Sequence, residues 1–174
     1  MTQTASYSLA PSLVDRGFQL AYKVAYRLMR AYWTVRKPNT HGALVALWNQ
    51  GHVLLVRNSY VRYYSLPGGY ARRNESGREA AIRELREEVG VHARPEQLVP
   101  VFDETRPWEG KRDHVQIFEL ELDERPVVRI DNREVVDAGW FSPEQALAFD
   151  LFPPLRYVIE KHSGLVGPRP CCSS

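Results

Sequence analysis

Residues 69–91 read GYARRNESGREAAIRELREEVGV, and this stretch decides how the chain folds. Ser76 and Glu79 are spaced as a capping box, which predicts a helix that begins at the next residue after the serine. Gly90 is the kind of residue that ends a helix, so we expect the helix to span residues 77–89. Its apolar residues share one face, which predicts packing against a sheet, at Ile82, Leu85 and Val89.

Three glutamates of that helix form a cluster. Residues three and four apart lie on the same face, so Glu84, Glu87 and Glu88 project together. Such carboxylates repel one another unless a cation lies among them, and oxygen ligands without His or Cys favour Mg²⁺ or Mn²⁺ over zinc. Mg²⁺ commonly bridges carboxylates to phosphates, and Gly68 and Gly69 allow the backbone to approach closely. The alternative is that a helix rich in Glu and Arg merely presents a solvated face. The specific spacing of the glycines, glutamates and arginine over residues 69–91 disfavours this alternative.

The segment resembles the signature of the Nudix hydrolases, Gly-x5-Glu-x7-Arg-Glu-U-x-Glu-Glu-x-Gly-U, in which U is a bulky aliphatic residue. Every fixed position is filled, at Gly69, Glu75, Arg83, Glu84, Leu85, Glu87, Glu88, Gly90 and Val91. Beyond the signature, the resemblance covers roughly residues 40–161. It implies an α/β/α sandwich around a mixed sheet. It also implies Mg²⁺-assisted attack of water on a nucleoside diphosphate linked to another moiety X.

The resemblance assigns roles to individual residues. It implies metal ligands at Gly69 (through its carbonyl), Glu75 (as an additional or outer ligand), Glu84, Glu87 and Glu88. It further implies that Arg83 orients these glutamates and that Arg83, Glu84 and Glu87 serve catalysis. From the helical spacing alone, Arg83 can pair with either Glu79 or Glu87.

The resemblance leaves the general base open, because members of the family use either a glutamate of the signature or an acid outside it. Glu134 is our first candidate outside it, since it leads into a strand predicted over residues 136–141. Four other acids compete, namely Asp103, Glu104, Glu109 and Asp113. Each of the five, taken alone, is more often a solvated surface acid.

Aromatic and basic residues near the predicted site are candidates for substrate binding. Tyr64 and Trp108 can stack on a nucleobase, and Arg57 and Arg106 can bind phosphates. Further candidates of the same kinds are Tyr60, Tyr63, Arg62, Lys111 and Arg112. Packing in the core and at the rim is the alternative for the aromatic residues. None of these residues identifies X.

Elsewhere, apolar patterns predict strands over residues 43–48, 52–56, 63–66, 98–102, 114–122 and 136–141. Ser142 and Pro153 mark the starts of two further helices. This order of elements predicts a mixed α/β or α+β domain over residues 39–161. A helical extension precedes it over residues 1–38, and a disordered tail follows over residues 162–174.

Residues 12–35 are predicted to form an amphipathic helix. Basic residues lie away from an apolar stripe that comprises Phe18, Ala21, Tyr22, Ala25, Leu28, Met29 and Tyr32. Residues 1–40 hold six basic groups and one acid, whereas the remaining residues carry a net charge of −3. We expect the stripe to pack on its own domain or on a second copy in a homodimer. A membrane surface is the alternative.

The composition of the 174-residue chain excludes several classes of protein. Its two cysteines, Cys171 and Cys172, are adjacent, which excludes a disulfide framework and favours a reducing compartment, the cytoplasm. We expect no signal peptide, and no apolar run reaches the ~20 residues of a membrane span. The negative body lacks the basic surface that long nucleic acids need, so a nucleotide-sized substrate is expected. A catalytically silent nucleotide sensor and an RNA 5′-end pyrophosphohydrolase are the alternatives.

Overall fold

The computed structural model describes residues 10–165, which form a six-stranded sheet with helices around it. The strands are β1 (Asn39–Asn49), β2 (His52–Asn58), β3 (Gly68–Tyr70), β4 (Val99–Trp108), β5 (Lys111–Glu121) and β6 (Val135–Phe141). The helices are α1 (Leu13–Arg36), α2 (Gly77–Val89), α3 (Pro143–Leu147) and α4 (Pro153–His162). The strand order is β4-β5-β1-β2-β6, and β3 also pairs with β1. Because β1 is parallel to β5 and antiparallel to β2 and β3, the sheet is mixed.

Both faces of the sheet are covered, and β1 contributes to both cores. Ala43, Val45 and Leu47 pack in one core with α2. Ala46 and Trp48 pack in the other core with α4. Burial on both faces explains why this strand is an almost continuous apolar run rather than an alternating one. The fold is therefore the expected α/β/α sandwich.

Helix α2 has the predicted bounds and caps. The Ser76 hydroxyl accepts a hydrogen bond from the Glu79 amide, and the Glu79 carboxylate accepts one from the Ser76 amide at 2.8 Å. Gly90 ends the helix with a φ of 72°, a left-handed conformation that favours glycine. Leu85 and Val89 are fully buried in the first core. Because this face is anchored, the glutamates of α2 project from another side of the helix.

Helix α1 confirms the predicted N-terminal helix, but the face that contacts the domain coincides only partly with the predicted apolar stripe. Tyr26 donates a hydrogen bond to the Glu109 carboxylate at 2.6 Å, Gln19 donates to the Asn132 carbonyl at 2.9 Å, and Trp33 is buried. Packing of the whole stripe on its own domain is wrong, because polar and aromatic groups of α1 find partners there instead, whereas packing of the stripe on a second copy stays a prediction. Six of the seven stripe residues are exposed, namely Phe18, Ala21, Ala25, Leu28, Met29 and Tyr32.

The third predicted strand is also wrong. Residues 63–66 form no strand and make only isolated bridges, to Val56 and Leu151. Pro67 lacks an amide hydrogen and cannot donate to a ladder, and the short strand β3 begins after it. In contrast, β4 and β5 are longer than predicted, because they pair with each other along most of their length up to the turn at Glu109.

Within residues 10–165, no helix is both long enough and apolar enough to cross a bilayer. Cys171 and Cys172 lie outside the described residues, as does most of the tail predicted over residues 162–174. The reducing compartment, the disordered tail and the domain boundaries after residues 38 and 161 therefore stay predictions.

Two leucines provide a test of the anchoring of α2. Leu85 is fully buried, whereas Leu20 on α1 is 64% exposed. We expect Leu85→Ala to lower the free energy of unfolding by about 2–5 kcal/mol, because it removes buried methyl groups and leaves a cavity. The matched change Leu20→Ala should alter it by less than about 0.5 kcal/mol. Urea denaturation followed by circular dichroism measures both, and equal effects would contradict the packing of α2.

Candidate active site

A cleft of about 560 Å³ is lined by α1, the segment over residues 58–66, β3, α2 and the β4–β5 turn. It brings together carboxylates distant in sequence, namely Glu84, Glu87, Glu88, Glu109, Asp113 and Glu134. Its apolar lining includes Leu44, Leu66, Trp108, Val115 and Phe152. The cleft is within the size range of small-molecule sites, ~300–1,000 Å³. Carboxylates and apolar side chains therefore line the same cavity.

The guanidinium of Arg83 holds the glutamates of α2 in place. Its Nε lies 2.8 Å from Glu75, and its Nη1 lies 2.5 Å from Glu84 and 3.4 Å from Glu87. The hydrogen bond from Arg83 lowers the pKa of Glu75 to about 2, with a smaller contribution from the Arg72 amide. Arg83 thus balances several carboxylates at once.

Of the two partners that spacing allows for Arg83, the structure selects Glu87. Arg83 does not pair with Glu79, because that carboxylate is engaged in the N-terminal cap of α2 and accepts hydrogen bonds from the amide and hydroxyl of Ser76. The capping box therefore leaves Arg83 free to turn toward the cleft.

Unlike Glu75, Glu84 and Glu87, Glu88 forms no ion pair with Arg83. It accepts a hydrogen bond from the Gly68 amide at 2.8 Å. Burial raises the pKa of Glu88 well above its ordinary value, and the charges of Glu84, Glu134 and Asp131 raise it further. In the described part of the chain, no Lys, Arg or His forms an ion pair with it. A cation beside Glu88 would relieve this repulsion.

The glycine pair allows β3 to lie directly against these carboxylates. A Cβ atom at residue 69 would be 2.6 Å from the Glu84 Oε1 atom, and one at residue 68 would be 2.3 Å from the Ala43 carbonyl oxygen. At residue 68 the contact is with backbone and only glycine fits, whereas at residue 69 the Glu84 carboxylate would have to move. The backbone of β3 therefore lies against Glu84 of the carboxylate cluster, and the metal-binding role of the Gly69 carbonyl stays a prediction.

The donors around Glu88 fit a hard divalent cation. They include the carboxylates of Glu84 and Glu134, whose charges act on Glu88, and carboxylate oxygens are ligands that Mg²⁺ and Mn²⁺ prefer. Among residues 10–165, however, no three acidic, His or Cys side chains are already grouped as a metal site. Arg83 contacts Glu84 and the Gly68 amide contacts Glu88. A cation would therefore compete with Arg83 for Glu84.

Glu134, the candidate base outside the signature, lies in the same cleft at the start of β6. The Tyr60 hydroxyl donates a hydrogen bond to it at 3.0 Å. Asp131 fixes the backbone there by accepting hydrogen bonds from the amides of residues 133–135. Burial raises the pKa of Glu134, and the charges of Asp131 and Glu84 raise it further, against the Tyr60 hydrogen bond. The structure thus places a second oriented carboxylate beside the cluster.

The competing acids divide into two groups. Glu109 and Asp113 line the cleft. Asp103 and Glu104 do not, and their carboxylates contact His114 and Arg106. Buried Asp113 pairs with Lys111 at 2.8 Å. Glu109 therefore remains the main rival of Glu134 as a base.

Among Arg57, Tyr64, Arg106 and Trp108, the first-named candidates for substrate binding, only Trp108 lines the cleft. Arg57 and Tyr64 both contact Asp137, at 3.4 and 2.5 Å. Arg106 pairs with Glu104 at 2.5 Å. A substrate-binding role of these three residues stays a prediction that their positions do not favour.

Sequence reasoning missed the contribution of α1 to the cleft. Tyr22, Tyr26, Met29 and Trp33 form a wall of it. The rings of Tyr22 and Tyr26 lie 6.2 and 4.8 Å from that of Tyr60, which bonds Glu134. The available signal was the spacing of Tyr22, Tyr26 and Trp33, which are four and seven residues apart on one helical face.

Comparisons with known proteins agree with this geometry. A family model described as NUDIX domain matches residues 38–162. "Putative 8-oxo-dGTP diphosphatase" of Bacillus subtilis (strain 168) is 31% identical over 105 residues, which are 60% of this chain and 67% of that protein. "CTP pyrophosphohydrolase" of Escherichia coli (strain K12) is 29% identical over 107 residues, 62% of this chain and 76% of that protein. The solution structure of the E. coli ORF135 protein is similar with a TM-score of 0.61 and 25% identity, covering 79% of this chain and 97% of that one.

The Arg83–Glu75 pair makes a prediction about stability at low pH. Because the folded state depresses the pKa of Glu75 to about 2, its ionised form stabilises the fold above the ordinary value of 4.5. This contribution is lost as the pH falls from about 4.5 toward 2. We expect the free energy of unfolding to fall less between pH 6 and about 3.5 in Glu75→Gln than in the wild type. Urea denaturation measures it, and the exposed change Glu124→Gln, the control, should behave as the wild type.

Proposed function

The chain belongs to the NUDIX family and is a hydrolase acting on acid anhydrides, and we propose that it cleaves a phosphoanhydride bond of a nucleoside diphosphate linked to another moiety. ADP-ribose and a (d)NTP are the kinds of substrate proposed. The proposal rests on one observation. A single cleft is lined by the backbone of β3 and by four glutamates, namely Glu84, Glu87, Glu88 and Glu134. An acidic cluster of this kind binds diphosphate through a divalent cation.

In this proposal, Glu84, Glu87, Glu88 and the Gly69 carbonyl hold Mg²⁺ or Mn²⁺, with Glu75 as an outer ligand. The ion, when bound, polarises the phosphoryl oxygens and offsets the charge that develops on them. Arg83 keeps the glutamates oriented by its contacts with Glu84 and Glu75. The position of Glu88 supports this assignment, because the charges of Glu84 and Glu134 act on its carboxylate and no Lys, Arg or His among residues 10–165 forms an ion pair with it.

Glu134 is the proposed general base. Its carboxylate accepts the proton of the attacking water, and the Tyr60 hydroxyl keeps it oriented. A raised pKa makes Glu134 a stronger base than an exposed glutamate, provided that it is ionised. Its position beside the metal-binding glutamates supports this role over that of an isolated surface acid.

The apolar part of the cleft suits the nucleoside. Trp108 and Tyr63 offer aromatic surfaces on which a base can stack, and Leu44 and Val115 also line this cavity. The names of two relatives, a diphosphatase for 8-oxo-dGTP and a pyrophosphohydrolase for CTP, support a nucleotide substrate. The wall formed by α1 favours a small molecule over a long nucleic acid.

A substrate panel with Glu88→Gln tests the metal role. With Mg²⁺ and nucleotides including (d)NTPs and ADP-ribose, we expect the variant to lose about 10³-fold in kcat/KM, because metal assistance contributes several kcal/mol to the transition state. The exposed change Glu124→Gln is the charge-matched control and should retain wild-type activity. Full activity of Glu88→Gln on the best substrate would refute the assigned metal site.

A pair of variants identifies the base. Glu134→Gln should lower kcat by about 10²–10⁴-fold, the usual contribution of general base catalysis. Glu109→Gln, which alters the rival acid in the same cleft, should lower kcat by less than about tenfold. Steady-state kinetics at saturating Mg²⁺ measures both. The reverse order of effects would assign the base to Glu109.

A further inference from the structure

The outer side of α1 is the most apolar exposed surface in the described chain. Thirteen large hydrophobic side chains are exposed among residues 10–165, and nine of them belong to this one helix. Leu13, Leu28 and Val35 are 83%, 68% and 80% exposed. A cluster of exposed apolar side chains on a folded protein is typical of an interaction surface.

The helix has separate faces for separate contacts. Tyr22, Tyr26 and Trp33 face the domain and the cleft. At about 100° per residue, Leu28 and Val24 lie together on the far side of the helix. Because the domain-facing side already has its partners, the outer aliphatic face, about 36 Å long, is left to a different partner.

Charge identifies the nature of that partner. Lys23 and Arg27 are exposed and border the aliphatic face, about 100° and 60° around the helix from Val24. The single acid of α1, Asp15, caps the helix and pairs with Arg133 at 3.2 Å. The exposed surface of α1 is therefore apolar and basic, without acidic groups of its own.

We propose that the outer face of α1 binds the surface of an anionic phospholipid bilayer. Its aliphatic side chains enter the boundary between headgroups and acyl chains, and its basic border contacts the lipid phosphates. A second copy of the chain fits less well. In a symmetric pair of α1 helices, the basic borders of both helices would find no acid on the exposed surface of either helix.

Vesicle flotation of the full chain tests this proposal independently of the catalytic activity. We expect the wild type to float with phosphatidylglycerol/phosphatidylcholine vesicles and to stay behind with pure phosphatidylcholine. Leu28→Glu should abolish flotation, whereas Val127→Glu, the same kind of change at a 75% exposed site off the helix, should not. Lys23→Gln combined with Arg27→Gln should raise the lipid concentration for half binding ~30-fold. Thermal unfolding by circular dichroism checks that all variants are folded.

Two outcomes would overturn the proposal. The first is a wild type that does not float with anionic vesicles, or that floats equally well with neutral ones. The second is a dimer by light scattering that Leu28→Glu converts to a monomer, in a protein that shows no flotation. That result would assign the outer face of α1 to a second copy of the chain. Neither outcome bears on hydrolysis, so failure here and failure of the proposed function are distinguishable.

Discussion

Mutual repulsion of carboxylates on α2 is the constraint on which the site depends. Glu84, Glu87 and Glu88 occupy little more than one helical turn, and Arg83 offsets only part of their charge. This repulsion is tolerated because the adjoining face of the helix is anchored by Leu85 and its neighbours in the core. Stable packing on one side thus maintains an unfavourable charge density on the other, which is the arrangement that a cation-binding site requires.

The sheet supplies the second half of this arrangement. β1 pairs with β3 and thereby holds the glycine backbone against Glu84, close enough that a single added methyl group would collide with it. β2 pairs with β6, at whose start Glu134 enters the cleft. The glycine backbone and Glu134, which are distant in sequence, are therefore positioned by two ladders of the same sheet.

Prediction from sequence succeeded where the determinants are local. The caps and bounds of α2 follow from Ser76 and Gly90, and the clustering of its glutamates follows from helical periodicity. It did not identify contacts between residues that are distant in sequence. The packing face of α1 depends on hydrogen bonds from Tyr26 and Gln19 to residues more than eighty positions away, which no periodicity encodes.

The same limit applies to side-chain choices within the site. Spacing allowed Arg83 two partners, and only the engagement of Glu79 in the cap decided between them. Arg57 and Arg106 are basic and close to the signature in sequence, yet both contact carboxylates outside the cleft. A basic side chain pairs with the carboxylate that the fold places nearest to it. The presence of arginines near the signature in sequence therefore did not predict which residues line the cleft.

Helix α1 forms one wall of the cleft but lies outside the region that the family model matches. The family match starts at residue 38, after the whole of α1. A polypeptide cut at that boundary would keep every signature residue but lose the stacking partners of Tyr60 and the phenol bound to Glu109. Its cleft would lack the wall that Tyr22, Tyr26, Met29 and Trp33 form. The region that the family model matches is therefore shorter than the part of the chain that lines the cleft.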